Sequence, residues 1–183
     1  AHDFLYKDVA GRLADRLQDI NRKFETVLDI GGGHGAVELA HAPKNYITGD
    51  LSETLLRASD RSRVLVMDED FLPFSENSLD LVISCLALHW ANDLPGALVQ
   101  ICRALKPDGL FLAAVLGGDT LIELRHVFLE AEAETTGGTS PRTSPVVDIA
   151  DTGTLLQRAG FALPVVDTDI LTVTYSDVFA LMR

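Results

Sequence analysis

The sequence predicts an α/β fold with a doubly wound, mostly parallel β-sheet and helices on both of its faces. Apolar runs of strand length alternate with helical periodicities at short spacing. Residues 79–84, LDLVIS, are mostly hydrophobic, as expected of a parallel strand that is buried on both faces. The first apolar run leads into four glycines in residues 27–35, VLDIGGGHG. Such a turn lets a ligand approach the backbone closely, so we expect a strand that ends at a binding loop.

The remaining elements follow in order along the chain. Apolar residues every fourth position predict an amphipathic helix over residues 3–20, within an N-terminal helical segment of residues 1–22. We predict strands at 24–30, 46–49, 63–67, 79–84 and 110–116. Helices are expected at 36–41, at 53–58 after the cap Ser52, and from 94 after the cap Asp93 to the breaker at 106–109.

The C-terminal third has weaker signals. Thr120 and Glu123 suggest a capping box at the start of a helix. Residues 135–147 are rich in Gly, Ser and Pro and predict a loop that acts as a lid or contacts substrate. A helix is expected at 148–159, strand-like segments at 161–167 and 170–175, and the start of a helix at 176–183. We find no repeat and no second core, so residues 1–183 are predicted to form a single domain.

Composition limits the partners of the chain. Of its 183 residues 47% are hydrophobic, which suits one domain with a full core. The net charge of -12, from 27 acidic and 15 basic residues, argues against nucleic acid as a partner and favours small molecules or basic protein segments. Cys85 and Cys102 lack metal or disulfide spacing, which indicates a reducing compartment. Because the chain starts at Ala1 without methionine, we expect it to be trimmed or processed.

Acidic residues at successive strand ends discriminate between cofactors. Asp29 precedes the glycines, Asp50 follows the second predicted strand, and Asp68 follows the third. An adenosyl ligand with an amino acid tail needs acceptors for its ammonium group, its ribose hydroxyls and its adenine amino group, and three acids supply them. Gly31, Gly33 and Ala36 also fit the dinucleotide pattern, but an acid directly before the turn would repel a pyrophosphate.

These motifs, together with DEDFLPF, LDLVIS and LKPDGLF, resemble class I S-adenosylmethionine-dependent methyltransferases, which have a Rossmann-like fold. The resemblance implies S-adenosyl-L-methionine as the cofactor. It assigns the methionine moiety to Asp29, Gly31 and Gly33, the ribose to Asp50 with Leu51, the adenine to Asp68 and the Glu69 backbone, and the sulfonium end to Ser84 and its neighbours. Gly32 stands where the family commonly has cysteine or serine. The family continues to a final antiparallel strand that this chain lacks, so we expect a C-terminal truncation.

A narrower resemblance lies in LALHWANDLP, GGDTLIELR and RAGFALPVVDTD. These segments are similar to the methyltransferase-type family of mitochondrial complex I assembly factors and its bacterial relatives. The malonyl-carrier-protein methyltransferases of biotin synthesis share part of the pattern. The assembly factor resemblance implies hydroxylation of an arginine on a complex I subunit. It also implies peripheral association with the matrix side of the inner mitochondrial membrane, or a cytoplasmic location in bacteria.

Catalytic residues are not assigned by the sequence. His89 and Trp90 follow the fourth predicted strand and are candidates for orienting a substrate, although a turn-capping histidine and a tryptophan packed under a lid are the ordinary alternatives. Arg125 is a candidate for contacting an anionic group. The five histidines, His2, His34, His41, His89 and His126, do not form an evident two-histidine, one-carboxylate pattern, so we predict no metal site.

Three functions therefore remain open at this point. The chain is an S-adenosylmethionine-binding enzyme that modifies a protein arginine, a methyltransferase acting on a small molecule or a carrier-bound acid, or a non-catalytic assembly module.

Overall fold

A five-stranded, all-parallel β-sheet forms the centre of the protein, in the strand order β3-β2-β1-β4-β5. The computed structural model describes residues 3–34, 37–138, 140 and 148–181. The strands are β1 Thr26–Ile30, β2 Asn45–Asp50, β3 Val64–Val66, β4 Leu79–Cys85 and β5 Leu105–Ala114. The chain winds outward from β1 to β3 and then returns to the other side of β1, which creates a switch point between β1 and β4. Ligands of such sheets bind beyond the carboxyl ends of the strands at this point.

Helices cover both faces of the sheet, which confirms the predicted fold class. They are α1 Phe4–Gln18, α2 Glu53–Ala58, α3 Leu94–Ala104, α4 Ile122–Thr136, α5 Ile149–Ala159 and α6 Val178–Leu181. Short 3-10 turns occupy Gly32–His34 and Leu88–Trp90. Both predicted caps are confirmed, because Ser52 accepts a hydrogen bond from the Leu55 amide and Asp93 accepts one from the Gly96 amide. Within the described residues, no helix has the length and apolar character needed to cross a bilayer.

The sheet separates two hydrophobic clusters. On one face, α1 packs against alternate residues of β1 and β4, with Val9, Leu13, Leu17, Val27, Leu81 and Ile83 buried together. On the other face, α3 covers the intervening residues, and Leu28, Ile30, Val82, Leu98 and Ile101 form the buried group. Every residue of β4 is buried, including Asp80 and Ser84, so the hydrophobic character of residues 79–84 reflects burial on both faces.

Some predicted elements are wrong. The described part of the expected 36–41 helix is not helical, because Val37 is fully buried and its carbonyl accepts a hydrogen bond from the Tyr46 hydroxyl, which draws the backbone toward β2. The capping box does not form, since α4 starts after Leu121, which has a left-handed backbone and no side-chain cap. The strand predicted at 110–116 begins earlier, at Leu105, and pairs with β4 through an irregular register at the breaker sequence.

The C-terminal expectations have mixed outcomes. The described residues of 161–167 and 170–175 form no strand, and the alternating apolar side chains Leu163, Val165 and Ile170 are exposed. The loop predicted at 135–147 starts after α4 ends at Thr136, and residues 139 and 141–147 lie outside the described part of the chain. The helix predicted from 148 is confirmed as α5.

Candidate functional site

Asp29 lies at the carboxyl end of β1 and is the most enclosed acid of the site. Its side chain is fully buried, and Oδ2 accepts a 2.8 Å hydrogen bond from the Tyr46 hydroxyl. Oδ1 has no hydrogen-bond partner among the described residues. Loss of water around the carboxylate raises the pKa of Asp29 to about 7, although the Tyr46 hydrogen bond acts in the opposite direction. The site therefore contains a buried carboxyl group with one oxygen left for a ligand.

The glycine turn after β1 leaves room for this carboxyl group. Gly31 has a positive φ of 73°, and its amide donates a 2.7 Å hydrogen bond to the Gly49 carbonyl. A Cβ atom on Gly32 would lie 2.7 Å from Asp29 Oδ2, and one on Gly33 would lie 2.6 Å from Asp50 Oδ2. Both distances are too short for a side chain, so the turn brings bare backbone against the two carboxylates.

Asp50, at the end of β2, is buried beside the same turn. Its Oδ2 accepts a 3.1 Å hydrogen bond from the Gly33 amide, and Oδ1 accepts a 2.8 Å hydrogen bond from the Ser52 amide. Each carboxylate oxygen has a second lone pair, so both remain available as acceptors. The next residue, Leu51, is 62% exposed at the edge of the sheet. The structure thus brings Asp29, Asp50 and the glycine turn together, as the sequence predicted.

The acidic residues after β3 lie beside Asp50, at the same edge of the sheet. Asp68 accepts a 2.9 Å hydrogen bond from the Asp70 amide, which folds the segment back on itself. Burial raises the pKa of Glu69, and the charges of Asp50, Asp68 and Asp70 add to the effect. This carboxyl-rich edge is a poor environment for a phosphate and a favourable one for cations and hydrogen-bond donors.

Asp70 links the segment after β3 to the segment after β4, a role that the sequence did not indicate. Its carboxylate accepts hydrogen bonds from the Asn92 amide, the Asn92 side chain and the Asp93 amide at 3.0 to 3.1 Å. These bonds lower the pKa of Asp70. The Gln100 side chain adds a reciprocal pair, donating to the Asp70 carbonyl at 2.7 Å and accepting from the Leu72 amide at 3.1 Å.

The predicted site residues at the end of β4 and beyond it lie in different surroundings, with Ser84 inside β4 and His89 and Trp90 in the turn that follows. Ser84 is fully buried and its hydroxyl has no partner within the described residues. Ser84 pairs with Ile30 whereas Asp29 pairs with Ile83, so Ser84 and Asp29 project from opposite faces of the sheet.

His89 and Trp90 lie in the short 3-10 turn, with ring centroids 5.1 Å apart. Trp90 is 65% exposed, and most of the predicted lid, residues 139 and 141–147, lies outside the described part of the chain. The turn has no side-chain cap, and His89 Nδ1 is buried without a partner in the described structure. Burial lowers the pKa of His89, which favours its neutral form.

A cation also lies near this edge. Arg125, in the first turn of α4, donates a hydrogen bond to the Gly118 carbonyl in the turn that follows β5. Its Nε is buried and has no hydrogen-bond partner among the described residues. No group of three or more His, Cys, Asp and Glu side chains suited to a metal ion occurs in the described ranges.

Comparison with known proteins identifies the domain that carries this site. Residues 28–113 match the family model described as a methyltransferase domain. This segment is a methyltransferase domain. It contains the glycine turn and the three strand-end acids, together with His89 and Trp90. The resemblance predicted from those residues is therefore confirmed.

Two groups of relatives extend the comparison beyond the methyltransferase domain. The chain is 46% identical to the human mitochondrial arginine-hydroxylase NDUFAF5 over 99% of its own length and 54% of that protein. It is 37% identical to a malonyl-[acyl-carrier protein] O-methyltransferase from Laribacter hongkongensis, over 98% of this chain and 65% of the relative. The chain thus spans about half the length of the human arginine hydroxylase and about two thirds of the bacterial enzyme.

Solved structures support the same fold. A complex between the Haloferax volcanii Trm112 methyltransferase activator and its methyltransferase-type partner contains a similar chain, with a TM-score of 0.65 and 23% identity. The similarity covers 98% of this chain and 83% of that one. At this identity the comparison concerns the arrangement of strands and helices, which is that of class I methyltransferases.

Proposed function

We propose that the cleft around the methyltransferase domain's glycine turn binds S-adenosyl-L-methionine. The observation that carries this proposal is the buried Asp29 carboxyl group, whose Oδ1 has no partner in the described structure, beside a turn in which the backbone of Gly32 and Gly33 lies close against the carboxylates of Asp29 and Asp50. A buried polar atom without a partner is costly, so its retention suits a site that a ligand completes. The bound cofactor supplies an electrophilic methyl group on its sulfonium centre.

Each residue has a distinct role in this proposal. Asp29 accepts the ammonium group of the methionine moiety, while Gly31 and Gly33 let that moiety approach the backbone. Asp50 accepts the ribose hydroxyls with its second lone pairs, and Leu51 forms an apolar wall beside it. The adenine lies against Asp68 and the Glu69 backbone, and Ser84 with its neighbours lines the sulfonium end. The residues present fit the cofactor.

Calorimetry with S-adenosylmethionine tests this assignment. We expect saturable binding by the intact chain and at least a tenfold weaker affinity for Asp50→Ala, because two charged acceptors for the ribose hydroxyls are lost. Thr54→Ala, a substitution on the neighbouring helix α2, is a matched control that should bind as the unmodified chain does. Undetectable binding by the unmodified chain would refute the proposal.

We further infer that the substrate is an arginine of a protein, and that the protein acts as a complex I assembly factor on the matrix side of the inner mitochondrial membrane, or in the cytoplasm of a bacterium. The similarity to the human arginine hydroxylase supports this inference. Charge supports it as well, because Asp68, Glu69 and Asp70 line the edge of the cleft and the chain carries a net charge of -12. A guanidinium group approaching such an edge is attracted to it.

Arg125 supports a second candidate function, methyl transfer to a carrier-bound acid. A substrate carboxylate needs a cation, and the buried Nε of Arg125 has no partner among the described residues. The similarity to the bacterial malonyl-carrier-protein methyltransferase points the same way. Methyl transfer depends mainly on alignment of a nucleophile with the sulfonium methyl, so it requires no catalytic triad.

Mass spectrometry of candidate substrates separates these functions. The protein is incubated in air with S-adenosylmethionine, a two-electron reductant and either an arginine-containing peptide or a malonyl-loaded carrier protein, so that dioxygen and the reductant can supply the oxygen atom and electrons that hydroxylation requires. Addition of one oxygen to the peptide supports the arginine hydroxylase assignment, and addition of one methyl group to the malonyl carboxylate supports the alternative. Cofactor binding with no change in either substrate favours a non-catalytic assembly module.

A further inference from the structure

The Tyr46 hydroxyl is shared by two acceptors, and this determines where a proton lies. It is 2.8 Å from Asp29 Oδ2 and 2.9 Å from the Val37 carbonyl oxygen. A phenol has one proton to donate. If Asp29 is ionised and receives that proton, the Val37 carbonyl faces only the phenol's lone pairs. If Asp29 is protonated on Oδ2, it donates to Tyr46 and Tyr46 donates to Val37, so Oδ2, the phenol and the Val37 carbonyl are all satisfied.

The surroundings of Asp29 favour the second arrangement. Burial raises the pKa of Asp29 to about 7, and the nearby charge of Asp50 acts in the same direction. Arg61, whose guanidinium lies 4.8 Å from the centre of the Tyr46 ring, favours the ionised form. On the α1 side of the sheet, Cys85 and Tyr6 also face this region, and burial raises the pKa of both. Both are therefore neutral near pH 7 and supply no positive charge to stabilise an ionised Asp29.

We propose that Asp29 carries a proton in the ligand-free protein and releases it to solvent when a primary ammonium group binds at Oδ1, while Tyr46 turns its hydroxyl proton from Val37 to Asp29. This inference rests on the proposed cofactor binding and adds a role for Tyr46 as a positioning residue. The exchange replaces a proton by an ammonium ion, so the buried pocket gains no net charge. No covalent bond other than the O–H bond of Asp29 is broken.

The coupling has a measurable dependence on pH. With a ligand-free pKa of about 7, binding at pH 6 releases about 0.9 proton per site, and binding at pH 8 releases about 0.1. Below pH 7 the affinity falls by about tenfold for each pH unit, because the proton competes with the ammonium group. The ligand's own amino group is an α-amine and is fully protonated at pH 6.

Calorimetry at pH 6 in phosphate and in Bis-Tris buffer tests the proposal, because the difference in binding heat between the two buffers gives the number of protons released. With S-adenosylmethionine we expect close to one proton. With 5′-methylthioadenosine, which keeps the nucleoside but lacks the ammonium group, we expect none. Asp29→Asn, in which position 29 cannot titrate, should bind S-adenosylmethionine without proton release.

Two variants control for other sources of protons. His41→Gln removes the exposed histidine that follows the glycine turn in the sequence, and Asp80→Asn changes a carboxyl group that accepts a hydrogen bond from the Thr26 amide at the opposite end of β1. Both should retain the full proton release. S-adenosylmethionine binding at pH 6 without proton release would overturn the inference alone, whereas absence of binding would overturn the proposed function. Release that persists with Asp29→Asn or with 5′-methylthioadenosine would assign the proton to another group and refute the inference.

Discussion

The substitution Asp29→Asn should stabilise the ligand-free protein, and it should do so in a pH-dependent way. Asparagine resembles the neutral carboxylic acid in shape and hydrogen-bonding capacity but cannot ionise. Because the pKa of Asp29 in the folded protein is raised from 3.8 to about 7, the folded state binds more protons than the unfolded state between these values. The stability of the unmodified protein therefore falls as pH rises through this window, and the variant lacks this loss.

The size of the effect follows from the two pKa values. One pKa unit corresponds to 1.36 kcal/mol, so the full shift corresponds to about 4 kcal/mol for this completely buried group. Between pH 5 and pH 8, only the portion of this free energy that accumulates from pH 5 up to the folded-state pKa of about 7 contributes. We expect the variant's advantage in unfolding free energy to grow by about 3 kcal/mol over that range and to level off above pH 7.

Urea unfolding of both proteins at pH 5, 6, 7 and 8 measures this difference. Asp80→Asn is the matched control, because Asp80 is held by Lys106 and the Thr26 amide and its pKa is lowered. Its stabilising contribution is lost only as pH falls below the acidic end of the range, so its effect should be flat from pH 5 to pH 8. An Asp29→Asn advantage that is constant with pH, or that shrinks as pH rises, would refute the assignment of a buried, protonated carboxyl group.

Three further predictions concern the turn and the rim of the site. Gly31→Ala should destabilise the fold by about 1 to 3 kcal/mol in urea unfolding, because the φ of Gly31 is positive and a Cβ would collide with Ala87. The control Gly11→Ala in α1 should instead stabilise the fold by up to about 1 kcal/mol, because a Cβ there meets no atom within 4 Å. Trp90 is the only tryptophan and is mostly exposed, so its emission should shift to shorter wavelength when a substrate covers it, and an unchanged spectrum at saturating substrate would exclude it from the contact. Asp70→Ala should accelerate hydrogen exchange at the amides of residues 92 and 93 without unfolding the sheet, and unchanged exchange would contradict its role in holding the rim.

The fold was predictable because the sequence patterns that indicate it involve neighbouring residues, or do not depend on which face of an element each residue occupies. A strand buried on both faces is hydrophobic at most positions, so β4 is recognisable without knowing which face each residue occupies. The caps Ser52 and Asp93 bond amides only two or three residues into their own helices, within the reach of a short sequence pattern. The same argument explains the site: the carboxyl ends of parallel strands meet at one edge, so Asp29 and Asp50 were expected to lie together.

Elements that depend on distant partners were not predictable in this way. An alternating pattern forms a strand only if it pairs with another strand, and residues 161–175 pair with none of the described strands, although the Phe161 ring stacks on Phe111 of β5. Thr120 and Glu123 have capping-box spacing, but the left-handed backbone at Leu121 starts the helix elsewhere. Asp70 had the appearance of one more acid in a run, and its hydrogen bonds to residues 92 and 93 arise from the packing of two separate loops.

The Tyr46 contact shows why the chemical state of the site needed the structure. Asp29 pairs with Thr48 in the parallel register of β1 and β2, so Tyr46, two residues earlier, projects from the same face as Asp29. The sequence-based prediction that Asp29 accepts an ammonium group implies that its carboxyl group is ionised before the ligand binds. The structure instead buries it completely beside a phenol that already has a carbonyl to bond, and the charges of Arg61 and Asp50 act on its pKa in opposite directions. The acid that selects a cationic ligand is thus best kept neutral until that ligand arrives, because an unpaired buried charge costs far more than a protonated carboxyl group.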